Sequence, residues 1–407
     1  MPLDVSTALQ ITTSQSLICS MSLRPSENFT GIVRVVRNIA LMLGVDAYDP
    51  NYRINMKTAM TLGAIVTYSG FTITTVIRLR NWKFALQALV MAGFVLQSLN
   101  KFYVGVRHSR RINEVYYSVV EIYARFEKHP DPRYANNLHQ NCRRLRTALI
   151  VASIMYAVGI VGMILLPIFV SLFTDKFILI LHFHIPGIDV RTEMGAWITQ
   201  VVHAVTMTIG GLGLLVGDST MIVFLMQPYI FVDILRLKIE VFNQFVEIPE
   251  TQSESEIQRM LVDIMQFHQE YLRFIFRIYD LMSSIVSTQV SSAGVCIVMT
   301  IFVLITSDWL GGYCFAIVLI PNLYTYCILG TFVENCNSAI MYEVYNISFY
   351  NLKARQQRQV LFMLSKTQRT KMMQVLGVMP LAVSTALQVT KSIYSVTMMM
   401  INFLIIK

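Results

Sequence analysis

The chain has 407 residues, of which 55% are hydrophobic and 14% are charged, and its mean hydropathy is +0.54. Soluble domains carry about 25% charged residues, so this composition excludes an ordinary soluble protein and indicates a membrane protein. The length would accommodate two or three soluble domains, but the sequence has no Pro/Ser-rich linker and no repeat, which favours one bundle.

The N-terminal segment, 1–55, is predicted to stay in the cytoplasm. Its first basic residue is Arg24, so it lacks the basic region that begins a signal peptide, and "SLICSMSL" is too short to span a bilayer. The stretch "GIVRVVRNIALMLGVD" alternates apolar residues with Arg34 and Arg37. This pattern predicts an interfacial or re-entrant helix rather than a span.

Seven stretches approach the ~20 apolar residues that cross a bilayer core. They are 56–77, 84–106, 148–173, 196–226, 278–305, 309–332 and 384–406. The chain, 1–407, is therefore predicted to be a single all-α domain with seven transmembrane helices. Spans 1–6 occupy 56–332, a cytoplasmic helical segment occupies 333–383, and the last span occupies 384–407.

The basic residues set the predicted orientation, because cytoplasmic loops are enriched in Lys and Arg. Of the 33 basic residues, 27 fall on the side of the N-terminus and 6 on the other side. The N-terminus is therefore predicted to be cytoplasmic and the C-terminus extracellular, the inverse of a G-protein-coupled receptor. These cytoplasmic residues also explain the net charge of +9, so nucleic-acid binding need not be invoked.

The predicted cytoplasmic segments carry helical hydrophobic patterns. Apolar residues recur at helical spacing over 112–126, 230–245, 257–278 and 340–364. Helices with apolar faces of this size must bury them somewhere. They either pack on each other and on neighbouring subunits, or lie on the inner leaflet of a monomer.

The last predicted span carries a polar stripe. On a 3.6-residue helix, the following residues share one narrow face: Ser384, Gln388, Lys391, Ser395, Met398 and Asn402. Polar groups within a membrane normally face water or the interior of a bundle. The stripe therefore either lines a pore, formed by copies of this helix around an axis, or faces the six other spans.

A ligand that arrives from outside would bind in the outer half of the bundle. The residues expected there are Phe84, Leu86, Leu89, Val90, Tyr156, Gly159, Met163, Trp197, His203, Met207, Tyr313, Ile317 and Tyr324. A cavity of aromatic and Met residues with few polar groups suits a small apolar molecule. For any single residue, ordinary packing in the bundle core is the alternative.

No catalytic, metal or cofactor site is expected. The sequence contains no nucleotide-binding, zinc-protease or nucleophile-elbow motif, and "HFHIPG", with His182 and His184, lacks a third ligand. The glycine-rich "GGLGLLVG" lies inside a span, where its glycines allow close packing or make room. His203 and Asp218 are ionisable groups within the fourth span, and either serve a function or occupy a solvated wall or helix end.

Two C-terminal stretches carry a resemblance to a known family. "ENCNSAIMYEVYNISFYNLKARQQRQVLFMLSKTQ" is similar to the cytoplasmic helix before the final span of insect odorant receptors. "KSIYSVTMMMINF" is similar to their terminal helix, around Tyr394 and Ser395. Together with the inverted seven-span plan, these stretches make the whole chain resemble that family.

The resemblance implies a ligand-gated cation channel without enzymatic activity or cofactor. It implies a heterotetramer of odour-binding subunits and a common co-receptor in the plasma membrane of sensory dendrites, with a small volatile as ligand. The chain is similar to the odour-binding subunit, since the co-receptor has a longer loop between spans 4 and 5. The last helix would line the pore through Ser395 and Met398, with Asn402 and Ile406 at its narrowest level. A gustatory-type channel and a metabotropic seven-helix receptor are the alternatives.

The predicted orientation is tested by labelling. An epitope tag at the C-terminus should be accessible to antibody on unpermeabilised cells, and an N-terminal tag should be accessible only after permeabilisation. The opposite result would overturn the orientation that the basic residues indicate.

Overall fold

The computed structural model describes residues 24–173, 179–181, 183–185, 187–190, 192–248, 253–307, 309–369 and 372–405, and these residues are mainly helical. The helices are α1 Pro25–Met42, α2 Met56–Leu79, α3 Trp82–Arg107, α4 Ser109–Phe126, α5 Pro132–Phe173, α6 Glu193–Leu225, α7 Pro228–Glu247, α8 Glu254–Thr306, α9 Leu310–Tyr345, α10 Ala354–Thr367 and α11 Val383–Ile405. A 3₁₀ turn lies at Phe349–Asn351.

The predicted all-α membrane fold is confirmed. Within the described ranges, six helical runs are long and apolar enough to cross a membrane, and they match the first six predicted spans to within two residues at the ends where a span extends beyond its run. The seventh predicted span coincides with α11, whose 23 residues extend about 34 Å at 1.5 Å per residue. α11 is not among the six runs found within the described ranges. The orientation across the membrane stays a prediction.

Three helices continue far beyond the bilayer. α5 has 42 residues, α8 has 53 and α9 has 36, against about 20 needed for a span. Their extensions pack with α1, α4 and α7 at the predicted cytoplasmic end. The amphipathic segments found in the sequence are thus partly continuations of spans, and much of their apolar surface is buried within this chain.

Aromatic residues fill the core of this cytoplasmic end. The Phe29 ring stacks on the Tyr123 ring with centroids 4.8 Å apart, which joins α1 to α4. Phe231 of α7 contacts Phe274 of α8, with ring centroids also 4.8 Å apart. All four side chains are buried. Aromatic pairs contribute about 0.5–1.5 kcal/mol beyond the area they bury, so these contacts fix the helices firmly against each other.

A tight turn places α1 beside the spans. The Gly44 carbonyl accepts hydrogen bonds from the Tyr52 and Thr58 hydroxyls at 2.8 and 2.6 Å, and from the Asn55 amide at 3.2 Å. Asn55 and Thr58 also form a capping box that starts α2. Gly44 has φ +82, and a Cβ there would stand 2.4 Å from the Thr58 nitrogen, so the turn requires glycine.

A small hairpin, which the sequence patterns did not predict, precedes the last helix. β1 (Gln374–Val375) pairs antiparallel with β2 (Met379–Pro380) around Leu376 and Gly377, both with positive φ. The Leu376 N–H donates to the Ser287 hydroxyl of α8 at 3.0 Å. The hairpin therefore anchors the start of α11 on the longest helix of the bundle.

Candidate ligand cavity and buried ion cluster

A cavity of about 200 Å³ lies between α1, α2, α3, α5, α6, α8 and α9. Its lining is mainly aliphatic, aromatic and Met side chains. Representative lining residues are Leu43, Ile65, Tyr68, Met91, Phe94, Ile160, Leu181, Leu214, Met282 and Phe315. The polar groups at its wall are few and include Thr61, Ser98 and Lys101. A small, mostly apolar molecule matches this surface.

Four of the predicted ligand-binding residues line the cavity. Tyr156, Gly159 and Met163 lie along one face of α5, and Met207 lies on α6. Tyr156 and Met163 are buried. The three α5 residues follow helical spacing, so they present a continuous wall.

The other predicted ligand-binding residues lie elsewhere. Val90 is buried in an adjacent apolar cluster with Phe183 and Trp309, and Leu86 packs against that cluster. Phe84 is half-buried near the start of α3. The Tyr324 hydroxyl lies 3.0 Å from the Thr390 hydroxyl of α11.

Four predicted residues face outward from the isolated chain. Leu89, Trp197, Tyr313 and Ile317 have between 47% and 61% of their surface exposed. They occupy the same spans as the cavity residues but do not line the cavity. Their membership in a ligand site stays a prediction, as it does for all thirteen residues.

His203 holds a connecting segment over the bundle. Its Nδ1 accepts from the Leu181 N–H at 3.2 Å, and its Nε2 lies 3.1 Å from the Phe183 carbonyl oxygen. The Phe183 ring also packs on the imidazole, with centroids 4.2 Å apart. Leu181 lines the cavity, so His203 contributes to the wall through this segment although it does not line the cavity itself.

Asp218 of α6 is the centre of a buried polar cluster. Its Oδ1 accepts from the Lys101 ammonium and the Tyr326 hydroxyl, and its Oδ2 accepts from the Tyr156 hydroxyl. The Asn322 amide donates to the same Oδ2 at 3.0 Å and to the Tyr156 oxygen at 2.7 Å. All five side chains are buried. The donors come from α3, α5 and α9, so one carboxylate joins four helices.

The sequence reasoning missed Asn322, Tyr326 and Lys101, and Lys101 is the charged residue among these three. Its ammonium also lies 5.7 Å from the centre of the Tyr326 ring, within range of a cation–π contact. The sequence did contain a signal for this pair, because Lys101 lies inside the second predicted span and Asp218 lies inside the fourth. Opposite charges within two spans favour a pair, because an isolated charge in the membrane interior is costly.

Some glycines of α6 allow close packing with neighbouring helices, and another leaves open space in the cavity. A Cβ on Gly211 would stand 2.5 Å from Ile160, and one on Gly217 would stand 2.6 Å from the Lys101 side chain. By contrast, a Cβ on Gly210 would have no described atom within 4 Å. Gly210 lines the cavity, so the missing side chain there contributes directly to the open space.

The polar stripe of α11 faces away from its own bundle. Ser395, Met398 and Asn402 are exposed, whereas Ile393 and Thr397 on the opposite face are buried. Ile406, the remaining predicted pore residue, lies outside the described residues. The stripe therefore does not pack on the other spans of this chain. Packing on those spans was one of the two alternatives that the sequence left open.

Comparisons with known proteins agree with one another. The sequence model of the family described as 7tm Odorant receptor matches residues 81–394. The chain is 29% identical over 396 residues to putative odorant receptor 83c of Drosophila melanogaster, a match that covers 94% of this chain and 99% of that protein.

The fold is similar to that of the insect olfactory receptor OR5 from Machilis hrabei in complex with eugenol, with a TM-score of 0.74 at 12% identity. That similarity covers 92% of this chain and 100% of OR5. A further OR5 structure gives a TM-score of 0.74 at 13% identity, over 91% of this chain and 98% of OR5.

The family is one of receptors rather than of enzymes. The part of this chain that matches it contains most of the helices described above. The chain is a multi-pass membrane protein and belongs to the 7tm odorant receptor family.

Proposed function

We propose that this chain is the odour-binding subunit of a ligand-gated cation channel. A small apolar volatile binds in the cavity, and α11 lines the pore. The chain assembles with a co-receptor subunit into a tetramer in the plasma membrane of a sensory dendrite. The observation that carries the channel proposal is the outward polar stripe of α11.

The stripe supports a pore because a single chain cannot bury it. Lipid tails offer no hydrogen bonds, so Ser395 and Asn402 would be unsatisfied if they faced the bilayer. Leu387 and Met399, which flank the stripe, are also exposed and would suit contact with neighbouring subunits. Several copies of α11 around an axis would direct the stripes to water and bury the flanking apolar residues.

The cavity supports binding of a volatile by its size and chemistry. A dry apolar cavity of about 150 Å³ in another protein admits benzene, so about 200 Å³ accommodates a ring with a short substituent or a chain of similar volume. Eugenol, present in the OR5 complex, is a molecule of this kind, which makes it a suitable first probe for this chain.

A substitution at Gly210 should change ligand size preference. Gly210→Leu places a side chain in open cavity space, where it occupies room that a larger ligand needs. One methylene in an apolar pocket is worth about 1–3 kcal/mol, so the half-maximal concentration of bulky odorants should rise about tenfold or more, and that of small odorants much less. Odour-evoked currents in cells that also express a co-receptor measure this.

Gly63→Leu is the matched control. Gly63 lies in the span α2, a Cβ there also has no described atom within 4 Å, and it does not line the cavity. It should leave the odour preference unchanged. Equal loss of response to small and bulky odorants in Gly210→Leu, at unchanged surface expression, would contradict ligand binding in this cavity.

The pore proposal is tested by cysteine accessibility. Ser395→Cys and Asn402→Cys should be modified by a small cationic thiol reagent when odorant opens the channel, and modification should reduce the current. Thr397→Cys is the matched control, because Thr397 is a small polar residue on the buried face of the same helix. It should react slowly or not at all.

This experiment also separates a channel from a metabotropic receptor. A metabotropic receptor would act through a distinct conducting protein, so modification of α11 would not block an odour current in progress. Equal reaction at all three positions, or reaction without any effect on conduction, would refute the assignment of α11 to the pore.

A further inference from the structure

Lys101 carries the one basic group among the described residues that line the cavity. It lies on α3, and its side chain retains 4% of its surface exposure. The other lining residues are mainly hydrocarbon in character. The Lys101 ammonium is therefore the strongest hydrogen-bond donor that any described residue of the cavity wall carries.

The Lys101 ammonium has donor capacity to spare. An ammonium group carries three N–H donors. In the described part of the chain its hydrogen-bond partner is the Asp218 carboxylate, and it adds a cation–π contact to Tyr326. Up to two N–H donors of Lys101 thus have no hydrogen-bond partner among the described residues.

Asp218, in contrast, has no such capacity left. Its two oxygens accept from the donors of Lys101, Tyr156, Tyr326 and Asn322. An ionised carboxylate accepts hydrogen bonds and donates none, which matches this arrangement of four donors. The pair as a whole is neutral, since one ammonium faces one carboxylate.

This charge balance restricts the ligand class. A neutral carbonyl or ether oxygen can accept from Lys101 without disturbing the pair. A carboxylate would bring a second negative charge close to Asp218 in a medium of low dielectric constant, where like charges repel strongly. A hydrocarbon would leave the spare donors of Lys101 without an acceptor.

We infer that Lys101 is a specificity-determining residue that selects neutral volatiles with a hydrogen-bond acceptor, such as ketones, aldehydes and esters, over hydrocarbons and carboxylates. The inference rests on the proposed use of this cavity for odorants. It adds the chemical class of the ligand and the group that recognises it.

Triplets of matched shape test the inference. One triplet is 2-heptanone, 2-methyl-1-heptene and hexanoate. All three carry the same pentyl chain, which ends in an acetyl group, in the matching alkene with a methylene group in place of the oxygen, or in a carboxylate. A series of such triplets with increasing chain length covers the cavity size. Binding is measured as the ligand-induced rise in the thermal unfolding midpoint of the purified, detergent-solubilised protein.

Three variants complete the design. Lys101→Met with Asp218→Asn removes both charges, so neither is left unpaired in the bundle. Removing the donor should raise the ratio of the ketone's to the alkene's dissociation constant about tenfold, since a hydrogen bond to a charged group contributes on that scale. Lys83→Met is the matched control on the same helix, outside the cavity, and should leave the ratio unchanged. Tyr326→Phe should also preserve the preference for ketones, because it retains Lys101.

The outcomes are distinct. The carboxylate should bind most weakly to the unaltered protein. Tightest binding of the carboxylate, an unchanged ketone-to-alkene ratio in the double variant, or absence of ketone binding throughout the series would overturn the inference. Because the assay measures binding to purified protein, a failure of the channel proposal is recognised separately, as ketone binding without any current.

Discussion

The fold depends on how a carboxylate is satisfied inside an apolar bundle. Asp218 lies in a span, where an unpaired charge is costly and every oxygen lone pair needs a donor. The donors come from Lys101 on α3, Tyr156 on α5, and Asn322 and Tyr326 on α9. Satisfying one side chain of α6 therefore fixes the relative positions of three further helices. Apolar packing alone would allow these helices to shift more easily.

The same arrangement connects fold to function. Lys101 and Tyr156 belong both to the ion cluster and to the cavity wall, so a ligand in the cavity contacts groups that hold four helices together. α9, which supplies two of the donors, also packs against α11. In the proposed channel, ligand binding would alter the fit of these helices, and α9 would transmit the change to α11.

Hydrophobic runs sufficed to predict the spans, the helical class and the last helix, because crossing a bilayer imposes a strict length and polarity. Which face of each span points inward was harder to predict. Tyr156 and Met163 line the cavity whereas Tyr313 and Ile317 face outward, because helix rotation is set by tertiary contacts such as the Asp218 cluster. The buried ion pair of Lys101 was not predicted, because a lysine near the end of a span normally extends its ammonium group to the membrane surface. The hairpin before α11 depends on positive φ at Leu376, for which no local sequence pattern is specific.

A double-mutant cycle between Lys101 and Asp218 tests the central claim most directly. Thermal unfolding of the purified protein is compared for Lys101→Met, Asp218→Asn and the combined variant. Lys101→Met alone should cost about 3–5 kcal/mol, because it leaves a buried carboxylate without its cation, and adding Asp218→Asn should recover a large part of that loss. Independent, additive effects of the two substitutions would contradict the view that this ion pair organises the bundle.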